Sequence, residues 1–307
     1  MQKLFSLIIP CYNEEEVIEL SINTIIESLK NLEEKYELIF VNDGSKDNTL
    51  NILKNLAKNN KNIKIISFSR NFGQQAALRA GLEHASGDYI GFIDADLQDP
   101  PTLLPQMIAK IKEGYDIVYG QRTKRNGETK FKLLTASLYY KFSNFLCDIK
   151  IPQNVSDFRV ITRQVANEIL RLKEQNQSLR AMMAFVGFSQ IGIDFERPER
   201  AAGETKYTLK KMLKLAEDGL IGFSTKPLKA PLIISFITAV LTALFAVLAI
   251  FGVYFTSTFL TILNSLYFSI LFFALGIIGM YLIKIYENTK NRPLYIVKEL
   301  VNFNKEE

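Results

Sequence analysis

The residues best suited to chemistry lie in three acidic clusters. The strongest is Asp94-Ala-Asp96-Leu-Gln98-Asp-Pro-Pro101. In extended backbone, residues i and i+2 point the same way, so Asp94 and Asp96 are expected to converge. Two neighbouring carboxylates repel unless a cation sits between them or one is protonated. Hard oxygen ligands, with the Gln98 carbonyl added, suit Mg2+ or Mn2+, and such a cation usually completes its shell with substrate phosphates. A bare Asp-x-Asp is common by chance. Its weight here comes from its place at the end of a core strand, downstream of two other polar clusters.

The first of those is Pro10-Cys-Tyr-Asn-Glu-Glu15. Pro10 ends a strand's hydrogen-bond ladder, and the Tyr12 ring can stack on a base. For Glu14 the plain alternative is a helix N-terminal acid, where a negative charge is favoured. The second is Val41-Asn-Asp43-Gly-Ser-Lys-Asp47. A carboxylate at a strand end can accept hydrogen bonds from a base or from ribose hydroxyls. Asp-Gly-Ser is also an ordinary turn with an N-cap. No Gly-x-Gly-x-x-Gly follows the first strand, which disfavours a dinucleotide fold. His84 is the one histidine, so a Ser-His-Asp triad and a histidine zinc site are both excluded.

The elements that must hold these clusters alternate. Strands are expected at residues 5–10, 36–41, 63–68, 89–93 and 116–119. Helices are expected at 14–29, 47–57 and 74–84, with another opening at Pro100-Pro101. Strands separated by single helices imply a largely parallel α/β sheet, whose ligands bind beyond the carboxyl ends of the strands. All three clusters fall at such ends. Further on, a helix is expected at 131–145, a strand at 191–195 and an amphipathic helix at 207–223.

Composition changes sharply after that. Residues 230–283 hold no Asp, Glu, Lys or Arg. Two apolar stretches, 232–251 and 263–283, each have about the ~20 residues a bilayer span needs. Lys226 and Lys229 precede them, and Lys284, Lys290, Arg292 and Lys298 follow. The positive-inside rule then puts both flanks, and both termini, in the cytoplasm of a bacterial-type inner membrane. A buried helical hairpin is the competing interpretation, disfavoured by the charge-free length. The expected organisation is a catalytic domain over 1–206, a juxtamembrane segment over 207–229, two spans over 230–285 and a cytoplasmic tail over 286–307. The net charge of +5 gathers near the spans, which points to lipid headgroups or phosphates rather than nucleic acid. Two cysteines, Cys11 and Cys147, make no disulfide framework and read as packing residues.

The combination of the Asp94–Pro101 run, Asp157-Phe-Arg159, Arg200-Ala-Ala-Gly-Glu-Thr-Lys-Tyr207 and two C-terminal spans resembles family 2 glycosyltransferases of the GT-A fold. More narrowly it is similar to the polyprenyl-phosphate glycosyltransferases, relatives of dolichyl-phosphate mannose synthase and of bacterial enzymes that glucosylate undecaprenyl phosphate. That resemblance implies that Pro10, Tyr12, Glu14, Val41 and Asp43 contact the nucleoside. Asp94, Ala95 and Asp96 would lie along ribose and diphosphate. Asp96 and Gln98 would hold Mg2+ or Mn2+, and Arg122, Arg200 and Lys206 would reach phosphates. Asn42 departs from the family, in which many members carry a second Asp there; this bears on donor selectivity.

The same resemblance implies inverting transfer from a nucleotide sugar, with UDP-glucose the first expectation, to a polyprenyl phosphate. The catalytic residues would be Asp96, Asp157 and Arg159, with Asp157 either a base or the orienter of a cation such as Arg159 or Arg163. A processive synthase is disfavoured because its relatives resemble one another in a Gln-x-x-Arg-Trp motif, and this chain has no tryptophan. A glycan or protein acceptor and a silent membrane scaffold stay open, as does a homo-oligomer.

Overall fold

A computed structural model of the chain describes residues 2–122, 155–173, 178–196, 226–251 and 257–303. The chain divides into two compact units, one built on a sheet and one on two long apolar helices. The helices expected at 131–145 and 207–223, together with Arg200 and Lys206, lie outside the described residues.

The sheet unit opens with β1 (Leu4–Cys11), α1 (Ile18–Leu29), β2 (Lys35–Asn42), α2 (Thr49–Asn59), β3 (Ile63–Phe68), α3 (Gln74–His84) and β4 (Tyr89–Phe92). A short 3-10 turn (Pro101–Leu103) leads into α4 (Leu104–Lys112) and β5 (Ile117–Arg122). Then come β6 (Val155–Thr162), α5 (Arg163–Arg171), α6 (Leu179–Val186) and β7 (Gln190–Phe195). The strand order is β7-β5-β6-β4-β1-β2-β3-β8, where β8 (Val297–Val301) follows the apolar helices in sequence. β1 pairs in parallel with β2 and β4, and β3 with β2, so their carboxyl ends share one edge. β6 runs antiparallel to β4 and β5, and β8 antiparallel to β3.

Strand periodicity explains the two-sided core. Phe5, Leu7 and Ile9 point to one face, where α1, α2 and α4 bury Ile18, Ile22, Leu53, Leu104 and Met107 against them. Ile8, Ile39 and Val41 point to the other, under Ala77 and Leu78 of α3 and Val165 and Ile169 of α5. Each fully buried Ile or Leu is worth about 1.5–3 kcal/mol. Close packing fixes one glycine: a Cβ on Gly81 of α3 would lie 2.3 Å from Ile8 Cγ2, so α3 can rest on β1 only without one.

α1 begins four residues later than expected. Asn13 sits at φ +54°, and residues 14–17 close a turn through Val17 N–H to the Glu14 carbonyl. β8 forms where a tail was expected. Around it, Lys54 pairs with Glu299 at 2.6 Å, Asn302 donates to the Ala57 and Ile63 carbonyls, and Tyr295 stacks on Phe68. β8 thereby covers the edge of β3.

The second unit contains α7 (Lys226–Ile250) and α8 (Ser257–Thr289). Among the described residues 0% of Pro231–Leu248 and 6% of Phe259–Thr289 is buried, unlike the mostly buried core helix of a soluble protein. Leu232, Phe236 and Phe272 are 67–73% exposed. Both helices are long and apolar enough to cross a membrane, at about 1.5 Å per residue against a ~30 Å hydrocarbon core. They meet through Phe245 and Phe259, edge to face at 5.8 Å, and through Thr242 and the Tyr267 hydroxyl at 2.8 Å.

Candidate active site

The loops after β1, β2, β3 and β4 meet at the carboxyl edge of the sheet. Asp43 N–H donates to the Cys11 carbonyl at 2.9 Å. Ser45 Oγ accepts from Asn13 N–H, and Asn13 Oδ1 accepts from Lys46 N–H. Glu14 N–H donates to Thr49 Oγ1. The turn needs Gly44, which has φ +66° and whose Cβ would lie 2.4 Å from the Arg70 carbonyl carbon.

Tyr12, Glu14 and Pro10 are half-buried at this edge. Two other expected nucleoside contacts sit deeper. The Val41 side chain is fully buried under α3. Asp43 is buried too, and both its oxygens accept backbone N–H groups, from Phe72 at 2.6 Å and Gly73 at 2.9 Å. Burial raises its pKa, and those two hydrogen bonds only partly oppose the rise. Asn42 is buried as well: its amide donates to Ser67 Oγ and its carbonyl accepts from Ser45 N–H. Cys11 is a packing residue, its thiol pushed well up by burial.

β4 ends at Phe92; Asp94 follows it outside the strand, and Asp96 lies on a turn. Leu97, between Asp96 and Gln98, has φ +56°, and Gln98 N–H donates to Asp96 Oδ1 at 3.1 Å. Among the described residues, two of the four non-glycine residues with positive φ, Asn13 and Leu97, thus lie in the loops that carry the acidic clusters. Backbone strain of ~1–3 kcal/mol per residue concentrates at sites where function over-determines geometry.

Asp94 is the electrostatic centre. Gln74 Nε2 donates to its Oδ1 at 2.8 Å. Burial first, then the charges of Asp99, Asp157 and Asp96, push its pKa up to about 8, with Arg180 the cation that opposes them. The register of β4 against β6, Phe92 opposite Arg159, explains why Asp157 is near: it returns along β6 to the end of β4. Asp157 itself behaves oppositely. Burial would raise its pKa, but the Arg180 charge and hydrogen bond, then Arg159 and Arg122, hold it below the usual carboxylate range. Arg180 Nε donates to Asp157 Oδ1 at 2.6 Å.

The other arginines divide clearly. Arg122 pairs with Asp99 at 3.2 Å, at the same edge. Arg159 is buried, donates to the Ser156 carbonyl and Met183 Sδ, and has its pKa lowered to about 10, chiefly by burial. Arg163, expected as one option for the cation Asp157 orients, donates instead to the Ala85 and Gly87 carbonyls at the far end of β6. Arg180, Asp99 and Gln74 were not anticipated as site residues from the sequence. Gln74 had a usable signal, since it follows β3 as the other clusters follow β1, β2 and β4.

Carboxylates gathered at one edge, with Asp94 and Asp96 half-buried, are hard oxygen donors that fit a divalent cation. Among the described residues no three acidic or imidazole groups form a cage for one, so a ligand's oxygens would have to complete the shell.

The profile of the family described as "Glycosyl transferase family 2" matches residues 6–170, and the chain belongs to that family. It is therefore a glycosyltransferase, and its sheet is of the GT-A type. Three relatives match nearly end to end. An uncharacterized glycosyltransferase, YkcC, of Bacillus subtilis (strain 168) is 44% identical over 96% of this chain and 93% of its own. An uncharacterized glycosyltransferase, sll0501, of Synechocystis sp. is 41% identical over 96% and 95%. A prophage bactoprenol glucosyl transferase homolog of Escherichia coli (strain K12) is 37% identical over 96% and 98%.

Proposed function

We propose that the chain moves a hexose from a nucleotide sugar, UDP-glucose in the first instance, to a polyprenyl phosphate of the undecaprenyl type, with inversion at C1. The observation that carries this is the state of Asp157. A carboxylate held ionised by Arg180 is a weak base near neutral pH. An acceptor that arrives as an alcohol would need a stronger one. A phosphomonoester, with a second pKa of ~6, arrives already anionic. The relationship to the bactoprenol glucosyl transferase homolog, across nearly the whole length of both chains, supports the same acceptor.

In this scheme a phosphate oxygen of the lipid attacks C1 while the bond from C1 to the nucleoside diphosphate breaks. The electron pair leaves with the diphosphate, so no proton transfer is required. Tyr12 and Glu14 flank the nucleoside, while Asp43 and Asn42 set the loop that shapes its pocket. Asp96 and Gln98 would hold Mg2+ or Mn2+ together with the donor's diphosphate, and that cation neutralises the leaving group's charge. Arg122 lies at the same edge. Arg200 and Lys206 reach phosphates on the strength of their sequence motif. Holding acceptor and C1 in line supplies the rest of the acceleration.

The site faces the cytoplasm, where nucleotide sugars are, and α7 and α8 span the membrane with both termini inside. The lysine-rich flanks of the spans support this. A cysteine introduced at Thr256 should react with an impermeant thiol reagent added outside intact cells, and one at Asn304 should not.

The deciding experiment is a panel of labelled nucleotide sugars with purified enzyme in vesicles containing undecaprenyl phosphate. The expected result is a lipid-linked hexose from UDP-glucose. Transfer only to glycan or protein acceptors would overturn the proposal.

A further inference from the structure

We infer that Tyr295, in the segment that follows α8, is a positioning residue for the nucleotide-sugar donor: through its ring it holds the loop 69–73 that fixes Asp43. This rests on the reading of the Asp43 turn as the nucleoside side of the site, and it names a residue remote in sequence on which that turn depends.

The first support is what holds Asp43. Three groups of the loop between β3 and α3 donate to it. Phe72 N–H and Gly73 N–H bond its two carboxylate oxygens at 2.6 and 2.9 Å. Asn71 Nδ2 bonds its carbonyl at 3.2 Å. The two turns are also in close contact, since a Cβ on Gly44 would lie 2.4 Å from the Arg70 carbonyl carbon and 2.7 Å from the Asn71 nitrogen. A loop this close cannot move without moving Asp43.

The second is what holds the loop. Its first residue, Ser69, donates its N–H to the Ile296 carbonyl at 3.0 Å. Phe68, the last residue of β3, stacks on Tyr295 with ring centroids 4.9 Å apart and planes at 16°. Phe68 also meets Phe72 edge to face, at 5.7 Å and 89°. Phe72 is therefore two ring contacts from Tyr295, and its own N–H is one of the donors to Asp43. Arg70 caps the far side of this stack, with its guanidinium 4.0 Å from the Phe72 ring centre. Aromatic pairs in these geometries attract beyond their buried area, and a close-packed interior passes strain on.

The third is that Tyr295 is itself clamped. Its hydroxyl donates to Glu83 of α3. Glu83 pairs with Arg79 at 2.6 Å, and Arg79 donates to the Ile169 and Leu170 carbonyls of α5. Ring and hydroxyl together bridge β3 to α3, the two elements that flank the loop. Fastening β8 to the sheet would not need this, because Lys54–Glu299 and the Asn302 amide already do so.

The test uses full-length enzyme in vesicles, with uridine diphosphate as the probe and guanosine diphosphate as its counterpart. The variants are Tyr295→Phe, Tyr295→Leu and Tyr295→Ala. In Tyr295→Ala the Kd of uridine diphosphate and the KM for the nucleotide sugar should each rise ~5–10-fold, toward the upper end for one lost aromatic pair. The KM for undecaprenyl phosphate should shift less than ~2-fold, as for an independent site. Phenylalanine keeps the stack and should bind within ~2-fold of the wild type. Leucine keeps bulk without the stack and should be weaker than phenylalanine; should alanine not fold, that pair decides. Glu299→Ala, which loosens β8 only at a partly exposed ion pair, should leave binding within ~2-fold. Unmoved uridine diphosphate binding in the leucine and alanine variants, whatever their melting temperature, would make Tyr295 a fastener of β8 and overturn the inference. So would an equal loss in Glu299→Ala, or equal losses for donor and acceptor. Failure of the underlying reading looks different: the wild-type enzyme itself would bind neither nucleoside diphosphate.

Discussion

The two ends of the sheet both bury charge, and they treat it in opposite ways. At the amino end of the parallel strands, Glu37 is buried, yet its oxygens are saturated. Ser6 Oγ, Ser86 N–H and Ser86 Oγ donate to one, and Lys64 pairs with the other at 2.6 Å. Burial pushes the Glu37 pKa up, and Lys64, Ser6 and Ser86 together pull it below its ordinary value. Arg163 closes the same end by donating to the Ala85 and Gly87 carbonyls. At the carboxyl end, Asp94 is surrounded by Asp96, Asp99 and Asp157, and its pKa rises to about 8. The first arrangement is complete without a ligand. The second leaves Asp94 facing three other carboxylates with its pKa raised, a repulsion that a divalent cation would relieve. Buried charge by itself therefore marks neither a site nor a brace. The difference lies in whether the protein supplies the counter-charge itself.

The most severe way to break this contrast is at the metal-facing carboxylate. Asp96→Ala, or a chelator, should lower transfer by ~10²-fold or more, with added Mg2+ or Mn2+ reversing the chelator. The melting temperature of Asp96→Ala should stay near that of the wild type, because the carboxyl end is not where the fold is braced. Full activity in chelator would remove the cation from the scheme.

Glu37→Ala should do the reverse. It strands Lys64 and leaves the Ser86 turn without its acceptor, so stability should fall by about 2–4 kcal/mol, toward the lower side for a pair that is partly open. Turnover per folded molecule at low temperature should be unchanged. The pH sense follows from the lowered pKa. Stability from Glu37 is fully present above its unfolded value of ~4.3 and is lost as pH falls through the folded value. Thermal melts of the wild type should therefore drop more steeply below about pH 4.5 than those of Glu37→Gln. Parallel curves would mean that the network adds nothing to stability.

Much of this frame was legible in the residues. β1 to β5 and α3 announce themselves by apolar runs cut by Gly, Asp and Pro, and helix 74–84 has the same bounds in the structure. β6 was not legible. Its sequence, VSDFRVIT, places Asp157 and Arg159 on the face a strand normally fills with apolar residues, because that face belongs to the site. β8 reads VKELV, with two charges in five residues and Lys298 and Leu300 exposed at a sheet edge, which looks like a tail until β3 is known to need a partner. Arg180 lies 23 residues from Asp157, and only the antiparallel return of β6 and the placement of α6 bring them together. The convergence of Asp94 and Asp96 was anticipated through extended backbone; in the structure Asp96 sits on a turn after β4, and its charge acts on Asp94. Composition could suggest that carboxylates gather; it could not say which arginine would answer them.

The finest division concerns Asp157, where the two treatments of charge meet: an acid inside the anionic cluster that nevertheless has its own counter-ion. If it were an obligatory base, Asp157→Asn and Asp157→Ala should both remove the ~10²–10⁴-fold that general-base catalysis supplies. If it aims Arg180, asparagine keeps a carbonyl that can accept from Arg180 Nε, and alanine keeps nothing. The expected result is a loss of ~10-fold in Asp157→Asn and at least ~10²-fold in Asp157→Ala, read as kcat/KM for the lipid acceptor. The pH profile provides a second discriminator. Arg180 holds the Asp157 pKa below the ordinary carboxylate range, so it stays ionised throughout the region where a phosphomonoester takes up its second proton. The wild-type rate should fall below about pH 6 because the acceptor is protonated. Since that limb belongs to the substrate, Asp157→Asn should keep it at the same pH. An acid limb that moves or vanishes in Asp157→Asn would make Asp157 the titrating base. Thermal melts of both variants complete the test, because a carboxylate that merely braced α6 against β6 would lower the melting temperature and leave kcat/KM per folded molecule intact.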